Sequence, residues 1–251
     1  MAAIFDVKNV NHLRPAIPRP GTLPSPCAAC SVRHLTLCAA LEESEVQEVA
    51  AIVSTLEVGA GEPLIAEGQP AAHVFNVTSG AVKIYKLLVD GRRQMTGFLF
   101  PGDFLGLAND ETYAYSAEAV TASSVCRFPR RKLEALLRKY PRMERRLLSM
   151  ASHELAAAQE QMLLLGRKTA REKIASFLLM LSRRAAQREL PDDPVSVLMS
   201  RNDIGDYLGL TTETVSRTFS DLKGKGIIEL LPAGKVRLAR RQDLEAIAEG
   251  A

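Results

Sequence analysis

Residues 199–228, MSRNDIGDYLGLTTETVSRTFSDLKGKGII, decide the fold of the C-terminal part of this chain. Ser200 is a good N-cap for a helix over Arg201–Leu208, because its hydroxyl can accept from an unpaired backbone N–H of the first turn. Gly209 follows, where the backbone can turn through positive φ without a Cβ clash. Gly205 is small where a second helix would cross. The pattern predicts a short helix that ends in a tight turn.

A second helix follows this turn. Thr211 or Thr212 can cap its start, and it runs to about Lys223 before Gly224 and Gly226 end it. The apolar residues of the two helices recur at spacings that place them on packed faces: Ile204, Leu208, Leu210, Val215 and Phe219. Two short helices joined in this way are typical of a helix-turn-helix, whose second helix enters the DNA major groove.

The polar face of the second helix carries the candidate DNA-reading residues. Glu213, Ser216 and Arg217 lie at i, i+3 and i+4, so they share one face near the helix N-terminus. A guanidinium can bond guanine O6 and N7, a carboxylate can accept from cytosine N4, and a hydroxyl suits either a base or a phosphate. The alternative is a solvated face with an ordinary i,i+4 ion pair. Arg201 and Thr212 complete the predicted DNA-binding set.

Composition limits the possible classes of protein. The chain has 251 residues, enough for two domains, and is 47% hydrophobic with mean hydropathy near zero, as expected of a globular protein. The sequence contains no apolar run of 18 residues, which a transmembrane helix would need, and no signal peptide is recognised near its N-terminus. We therefore expect a cytoplasmic protein without a membrane partner. The net charge of +3 is too small to indicate nucleic-acid binding by itself.

The four cysteines form an uneven pattern. Cys27, Cys30 and Cys38 make a C-x2-C-x7-C run, and Cys126 lies far along the chain. In a reducing compartment such a pattern indicates metal or redox chemistry rather than disulfides. Four thiolates satisfy tetrahedral Zn²⁺ as well as iron, although the C-x7-C spacing is looser than the usual zinc knuckles.

The N-terminal part of the chain is predicted to be a sensor domain of short strands. Residues 1–26 are rich in proline and indicate a disordered arm. A short helix follows through LEESEVQEVAAIV. From about Thr55 to Phe128, alternating strands are separated by glycine turns, with Asp90-Gly91 as a hairpin signal. This pattern favours a β-sandwich or jelly-roll barrel over residues 27–140.

A long helix begins at about Pro129 or Pro141 and runs to Arg167. One face carries apolar residues at nearly heptad spacing: Leu147, Ala151, Leu155, Ala158, Met162 and Leu165. The alternative is a helix packed on its own barrel. Because no charge interrupts the face, we expect it to pair with a second copy, and a two-fold dimer would place two reading helices one turn apart on a palindromic site.

The last part of the chain completes a winged helix-turn-helix. Residues 166–169 are the predicted hinge, and residues 170–185 form an apolar helix. A short strand near Val195, a hairpin after Ile227 and a closing helix over residues 242–248 surround the central pair of helices. The predicted class is therefore α+β: a disordered arm over 1–26, a β-roll sensor domain over 27–140, a dimerisation helix over 141–167 and a DNA-binding domain over 168–251.

This order of parts resembles the CRP/FNR family of bacterial transcription regulators, over nearly the whole chain from about Cys27. Three stretches carry the resemblance: the C-x2-C-x7-C run with Cys126, LLLGRKTAREKIASFLLMLS at the domain junction, and GDYLGLTTETVSR with its E-x-x-S-R motif. Within the family the chain is similar to the FNR branch, of the FnrN/FnrL type. The β-roll is then similar to a cyclic-nucleotide-binding domain.

The resemblance implies an oxygen sensor. In FNR proteins four cysteines hold a 4Fe–4S cluster, which here implies Cys27, Cys30, Cys38 and Cys126 as ligands, and four thiolates are what such a cluster needs. The loaded protein dimerises and binds a palindromic operator similar to TTGAT-N4-ATCAA in double-stranded DNA; oxygen degrades the cluster and releases the DNA. The implied role is that of an activator, with RNA polymerase as a further partner.

The chain departs from other members of the family in two places. Residues 101–123 contain no arginine, whereas the cyclic-nucleotide members hold the phosphate there with an Arg-Ser pair, so cAMP binding is not expected. Ala158 in the helix seam is small and apolar; an acidic residue there would make dimerisation depend on the cluster.

Two alternatives remain at this point. The first is a zinc-stabilised or cluster-free regulator of the same family that answers another signal. The second is an enzyme or small-molecule-binding protein built on the β-roll. Metal enzymes on such barrels need several converging histidines, and His73 is the one histidine of the strand-rich stretch. No Gly-rich phosphate loop or H-E-x-x-H appears, so the chain is not expected to be an enzyme.

Overall fold

The computed structural model of the chain describes residues 27, 29–107 and 111–250. The predicted disordered arm, residues 1–26, lies outside the described residues. The chain divides into two compact units. One contains the residues up to Leu87 together with Thr96–Met150, and the other contains Leu88–Met95 and the residues from Ala151 onward. The division falls inside the long helix, whereas the sequence places the hinge at residues 166–169.

The first unit contains most of the predicted β-roll. The described strands of the roll are β1 (Ser54–Val58), β2 (Pro63–Ile65), β3 (His73–Ser79), β4 (Val82–Leu87), β5 (Arg93–Leu99), β6 (Phe104–Leu105), β7 (Ser116–Ala119) and β8 (Ser123–Pro129). They form two four-stranded sheets, in the orders β1-β8-β3-β6 and β2-β7-β4-β5. The double-sheet class is therefore confirmed, and the strand order brings together elements that are far apart in the sequence.

The two faces of β3 and β8 bury different partners. Side chains alternate along a strand, so Phe75 and Val77 point one way and pack with Val125 in the core of the β-roll. Val74 and Phe128 belong to the other face and pack in a second apolar cluster. That cluster also contains residues of the cysteine segment and of the helices that flank the roll.

Helices cover this second face. The cysteine segment forms two 3₁₀ turns, Arg33–Leu35 and Leu37–Ala40, and continues into α1 (Glu43–Ala50). After β8 come α2 (Arg130–Lys139) and α3 (Pro141–Arg167). The chain breaks at Tyr140 (φ −119°, ψ 84°), because the residue before a proline is disfavoured in the α-region. The sequence left two possible starts for the long helix, Pro129 and Pro141. In the structure a separate helix, α2, follows Pro129, and the long helix α3 begins at Pro141.

The second unit is a winged helix-turn-helix, as predicted. Thr169 caps α4 through a capping box with Glu172, which separates it from α3 at the predicted hinge. The remaining elements are α4 (Ala170–Ala186), β9 (Val195–Ser196), α5 (Arg201–Leu208), α6 (Thr212–Gly224), β10 (Glu229–Leu231), β11 (Lys235–Arg237) and α7 (Arg241–Glu249). Strands β10, β11 and β9 form the three-stranded wing.

The described part of the chain contains no helix with the length and hydropathy needed to span a membrane.

Candidate functional site

The turn of the helix-turn-helix is built from the local signals named in the sequence. The Ser200 hydroxyl accepts a hydrogen bond from the Asp203 backbone N–H, and the Asp203 carboxylate accepts one from the Ser200 backbone N–H. α5 therefore begins with a complete capping box. Gly209 ends α5 with φ 62°, a left-handed conformation that glycine adopts without strain. The Thr211 side chain accepts from the Thr214 N–H and caps α6. These caps fix where α6 starts, and with it which residues occupy its first turns.

The predicted reading residues share one exposed face of α6. The Glu213 and Arg217 side chains are about three-quarters exposed, at 75% and 72%, and their charged groups lie 3.0 Å apart. Ser216 is exposed between them, and its hydroxyl donates to the Thr212 carbonyl at 2.9 Å. Surface ion pairs of this kind contribute about 0–1 kcal/mol, so little energy opposes their exchange for DNA partners.

The two supporting residues have different surroundings. Arg201 is half-buried, and its guanidinium lies 3.5 Å from the centre of the Phe219 ring. Burial lowers the pKa of this guanidinium, but the group remains a cation and helps to join α5 to α6. Thr212 is exposed, and its hydroxyl donates to the Asn202 amide oxygen at 3.2 Å. Its position at the N-terminus of α6 suits a phosphate contact.

The structure brings all four cysteines to one pocket. Cys27, Cys30 and Cys38 come from the segment around the 3₁₀ turns, and Cys126 comes from β8, directly opposite Asn76 of β3. No disulfide joins the four cysteines, all of which the structure describes. Within the described residues, no group of three or more His, Cys, Asp or Glu side chains is already arranged to hold a metal ion. The thiols therefore share a pocket without forming a preassembled metal-ion site.

Burial changes the acidity of two of these thiols. It raises the pKa of Cys38 to about 11, partly offset by the hydrogen bond with Thr36 and increased again by the neighbouring Cys27 and Cys30. Burial and the other three cysteines raise the pKa of Cys126 to about 12. Both thiols are therefore protonated at neutral pH, and a metal group that binds thiolates would displace their protons.

Arg33 and Thr36, two polar residues that line the pocket, already form hydrogen bonds with other residues of the chain. Arg33 lines the pocket, but its terminal nitrogens donate to the Glu43 carboxylate at 2.7 Å and the Leu41 carbonyl at 3.0 Å. The Thr36 hydroxyl donates to the Arg33 carbonyl and accepts from the Cys38 N–H. Asn76 also lines the pocket, although nothing in its context, HVFNVTSG, distinguishes it from an ordinary strand residue. Sequence reasoning missed it, because the pairing of β3 with β8 is not a local signal.

The donor set of this pocket fits more than one metal group. Four cysteine thiolates are the usual ligands of a 4Fe–4S cluster. Four thiolates also satisfy a structural Zn²⁺. Cys27, Cys30, Cys38 and Cys126 are the residues that would hold either group.

The helix α3 exposes an apolar stripe. Leu148, Leu155 and Met162 are 67%, 61% and 64% exposed in the single chain, and they recur every seven residues. Of the predicted seam residues, Ala151 and Ala158 are exposed, whereas Leu147 and Leu165 are half-buried. Leu148, which the sequence prediction did not include, gives the stripe a more regular heptad start than Leu147.

A β-roll followed by a long helix and a winged helix-turn-helix, whose second helix has an exposed polar face, defines a class of DNA-binding regulators. Comparison with known families agrees: residues 55–140 match the cyclic nucleotide-binding domain, and residues 172–247 match the Crp-like helix-turn-helix domain. The chain is 41% identical to the transcriptional activatory protein AadR of Rhodopseudomonas palustris, over 87% of this chain and 91% of that protein. The chain therefore belongs to the CRP/FNR family, whose members are transcription regulators rather than enzymes.

Two further relatives extend this comparison. The transcriptional activator protein FnrL of Cereibacter sphaeroides is 41% identical, over 81% of this chain and 84% of that protein. The solved structure of FixK2 from Bradyrhizobium japonicum is 40% identical, with a TM-score of 0.74 over 80% of this chain and 99% of that one. The family and fold predicted from the sequence are confirmed.

Proposed function

We propose that this chain is an oxygen-responsive transcription activator, a homodimer that binds a palindromic operator when Cys27, Cys30, Cys38 and Cys126 hold a 4Fe–4S cluster. The observation that carries the proposal is the shared pocket of the four thiols. Three come from one segment and the fourth from a strand much further along the chain, so a group bound to all four would fasten that segment to the β-roll. The bound cluster supplies the sensitivity to oxygen.

The relatives support the transcriptional part of the proposal. AadR is named a transcriptional activatory protein and FnrL a transcriptional activator protein. Activation requires contact with the transcription machinery, so RNA polymerase is the proposed protein partner. The exposed reading face of Glu213, Ser216 and Arg217 supports the recognition of base edges in the major groove.

Contacts within the first unit link the cysteine segment, and the start of α1 that follows it, to the start of α3. Arg146 donates to the Leu35 carbonyl at 3.1 Å, and Arg142 donates to Glu42 and Glu45, each at 2.9 Å. Cys27, Cys38 and Cys126 also pack against the apolar cluster that contains Met143, which is fully buried. Cluster loss would release the cysteine segment and so change the packing at the base of the dimerisation helix.

The proposal is tested by purifying the protein without oxygen and measuring iron, sulfide, zinc, visible absorption and operator binding before and after air. We expect brown protein with iron and sulfide, operator binding that air abolishes, and absorbance that air bleaches. A colourless protein that contains stoichiometric zinc would indicate that the four cysteines hold a structural zinc ion instead of a cluster. Iron-free protein that binds its operator equally well in air would indicate a cluster-free regulator that answers another signal.

The variant Cys126→Ser tests the fourth ligand. We expect it to fail to retain the cluster and to lose operator binding even without oxygen, because three thiolates cannot complete the set. Ser124→Ala, on the same strand and outside the pocket, is the matched control and should keep iron content and binding. Normal anaerobic iron content in Cys126→Ser would exclude Cys126 as a ligand.

A further inference from the structure

Asn76 is a buried polar residue on the face of the β-roll that also carries Val74 and Phe128. Strands β3 and β8 are antiparallel neighbours, with Asn76 directly opposite Cys126 and Val74 opposite Phe128. Directly opposed residues project to the same face of a sheet, with Cβ atoms about 4.5–5.5 Å apart. Asn76 therefore projects beside the Cys126 thiol, in the pocket that contains all four cysteines.

The Asn76 carboxamide is buried with one end unsatisfied. The residue is 2% exposed, and its Oδ1 has no hydrogen-bond partner among the residues that the structure describes. Its Nδ2 donates to the Val77 carbonyl at 3.3 Å, and that carbonyl already accepts from the Gly102 N–H at 2.9 Å. Buried polar atoms without a hydrogen-bond partner are rare in native proteins and destabilising. The unsatisfied Asn76 carboxamide therefore suggests that a partner is supplied by a group bound in the pocket.

The chemistry of a carboxamide suits a pocket of sulfur atoms. It carries two N–H donors at one end and an acceptor at the other, and a half-turn about its last torsion exchanges the two ends. Protonated thiols can donate to Oδ1, whereas thiolates and sulfides accept from Nδ2. The half-turn would break the long bond to the Val77 carbonyl, which keeps the Gly102 N–H as a donor, and would turn Oδ1 toward that carbonyl. It is therefore favourable only when sulfur accepts from Nδ2.

We propose that Asn76 is a positioning residue for the sulfur site: its carboxamide turns to donate N–H to sulfur when the cysteines bind their cluster. The proposal rests on the proposed function. Hydrogen bonds to sulfur stabilise the more negative state of an iron–sulfur cluster and tune its potential. Asn76 thereby raises the midpoint potential of the cluster and slows its loss in air.

The test uses Asn76→Leu in the full-length protein. Anaerobic protein should bind the cluster but lose its absorbance in air with a half-life about tenfold shorter, the lower end of what outer hydrogen-bond partners contribute at metal sites. The midpoint potential should shift to a more negative value. The melting temperature of cluster-free protein should stay equal or rise, because an apolar side chain replaces an unsatisfied amide. A purely structural role would instead lower the melting temperature of the cluster-free protein.

Thr78→Val is the matched control. Thr78 lies on the same strand outside the pocket, and its hydroxyl donates to the Ser124 carbonyl at 2.9 Å. This variant loses a side-chain hydrogen bond but should keep the wild-type half-life and potential. Asn76→Asp preserves the shape and replaces the donor by a carboxylate, so it should shorten the half-life further and serves if the leucine variant folds poorly.

The outcomes separate the two proposals. If wild-type protein holds a cluster and both Asn76 variants match its half-life and potential, the role of Asn76 is wrong and the oxygen-sensor proposal stands. If wild-type protein reconstituted without oxygen holds no iron and sulfide, both proposals are wrong.

Discussion

Substitution of Arg217 should alter the DNA sequence preference of the protein without altering its fold. Its side chain is 72% exposed, and its partner Glu213 is on the same surface. The apolar residues that hold α6 in place, Val215 and Phe219, are on the opposite face and fully buried. Removing the guanidinium should therefore leave α6 in place and remove one contact to a base.

We expect Arg217→Ala to lose about 1–3 kcal/mol of operator binding, concentrated at one G·C pair, because a bidentate arginine–guanine contact discriminates by that amount. The measurement is a titration of the variant against operators substituted at each position. Arg92→Ala removes a similarly exposed arginine that pairs with Asp90 at 2.7 Å, and it should bind like wild type. A loss spread evenly over all sequences would instead make Arg217 a phosphate contact.

At the scale of the element, the crossing of α5 and α6 depends on the absence of one side chain. A Cβ on Gly205 would lie 2.6 Å from the Leu210 carbonyl oxygen, a backbone atom that cannot move without shifting the turn. The Leu210 N–H in turn donates to the Gly205 carbonyl at 2.9 Å. Close approach of the turn to α5 therefore requires glycine at this position.

We expect Gly205→Ala to destabilise the second unit by about 1–3 kcal/mol, the usual cost of overpacking, and to weaken binding to all operators. Urea unfolding followed by circular dichroism measures the first effect. Gly224→Ala, near the end of α6, introduces a methyl group that meets nothing within 4 Å. It should be neutral or stabilising by about 0.5–1 kcal/mol. Equal stability of the two variants would contradict the crossing contact.

The elements that the sequence predicted well are those with local signals. Ser200, Gly209 and Thr211 act on their own neighbours, so both ends of α5 could be placed from the sequence, and the start of α6 could be narrowed to a cap at Thr211 or Thr212. Strand order depends on partners far apart in the chain, so the pairing of β3 with β8 could not be predicted. For the same reason the cysteines were recognised from their spacing, whereas Asn76 was not recognised as their neighbour.

At the scale of the whole molecule, α3 exposes more large apolar side chains than is usual for a surface helix of a monomeric protein. Leu148, Leu155 and Met162 form a stripe of heptad spacing, with alanines between them that permit close approach of a second helix. Such a stripe is stabilised when a second copy covers it, and a two-fold dimer is the arrangement that suits a palindromic operator. We therefore expect dimerisation to depend on the stripe rather than on exposed apolar residues of α3 in general.

The variant Leu155→Glu tests this dependence, with Leu163→Glu as the matched control. Leu155 and Leu163 are 61% and 68% exposed on the same helix, so a charge at either position should cost the single chain little. Leu163 follows Met162 directly and lies off the heptad line. In a dimer of Leu155→Glu, the two introduced carboxylates would face each other across the seam. Sedimentation of cluster-loaded protein should therefore give a monomer with weak operator binding for Leu155→Glu and a dimer for Leu163→Glu. If both variants remain dimers at the wild-type concentration dependence, the stripe is not the interface, and the two reading helices must be brought together by another surface.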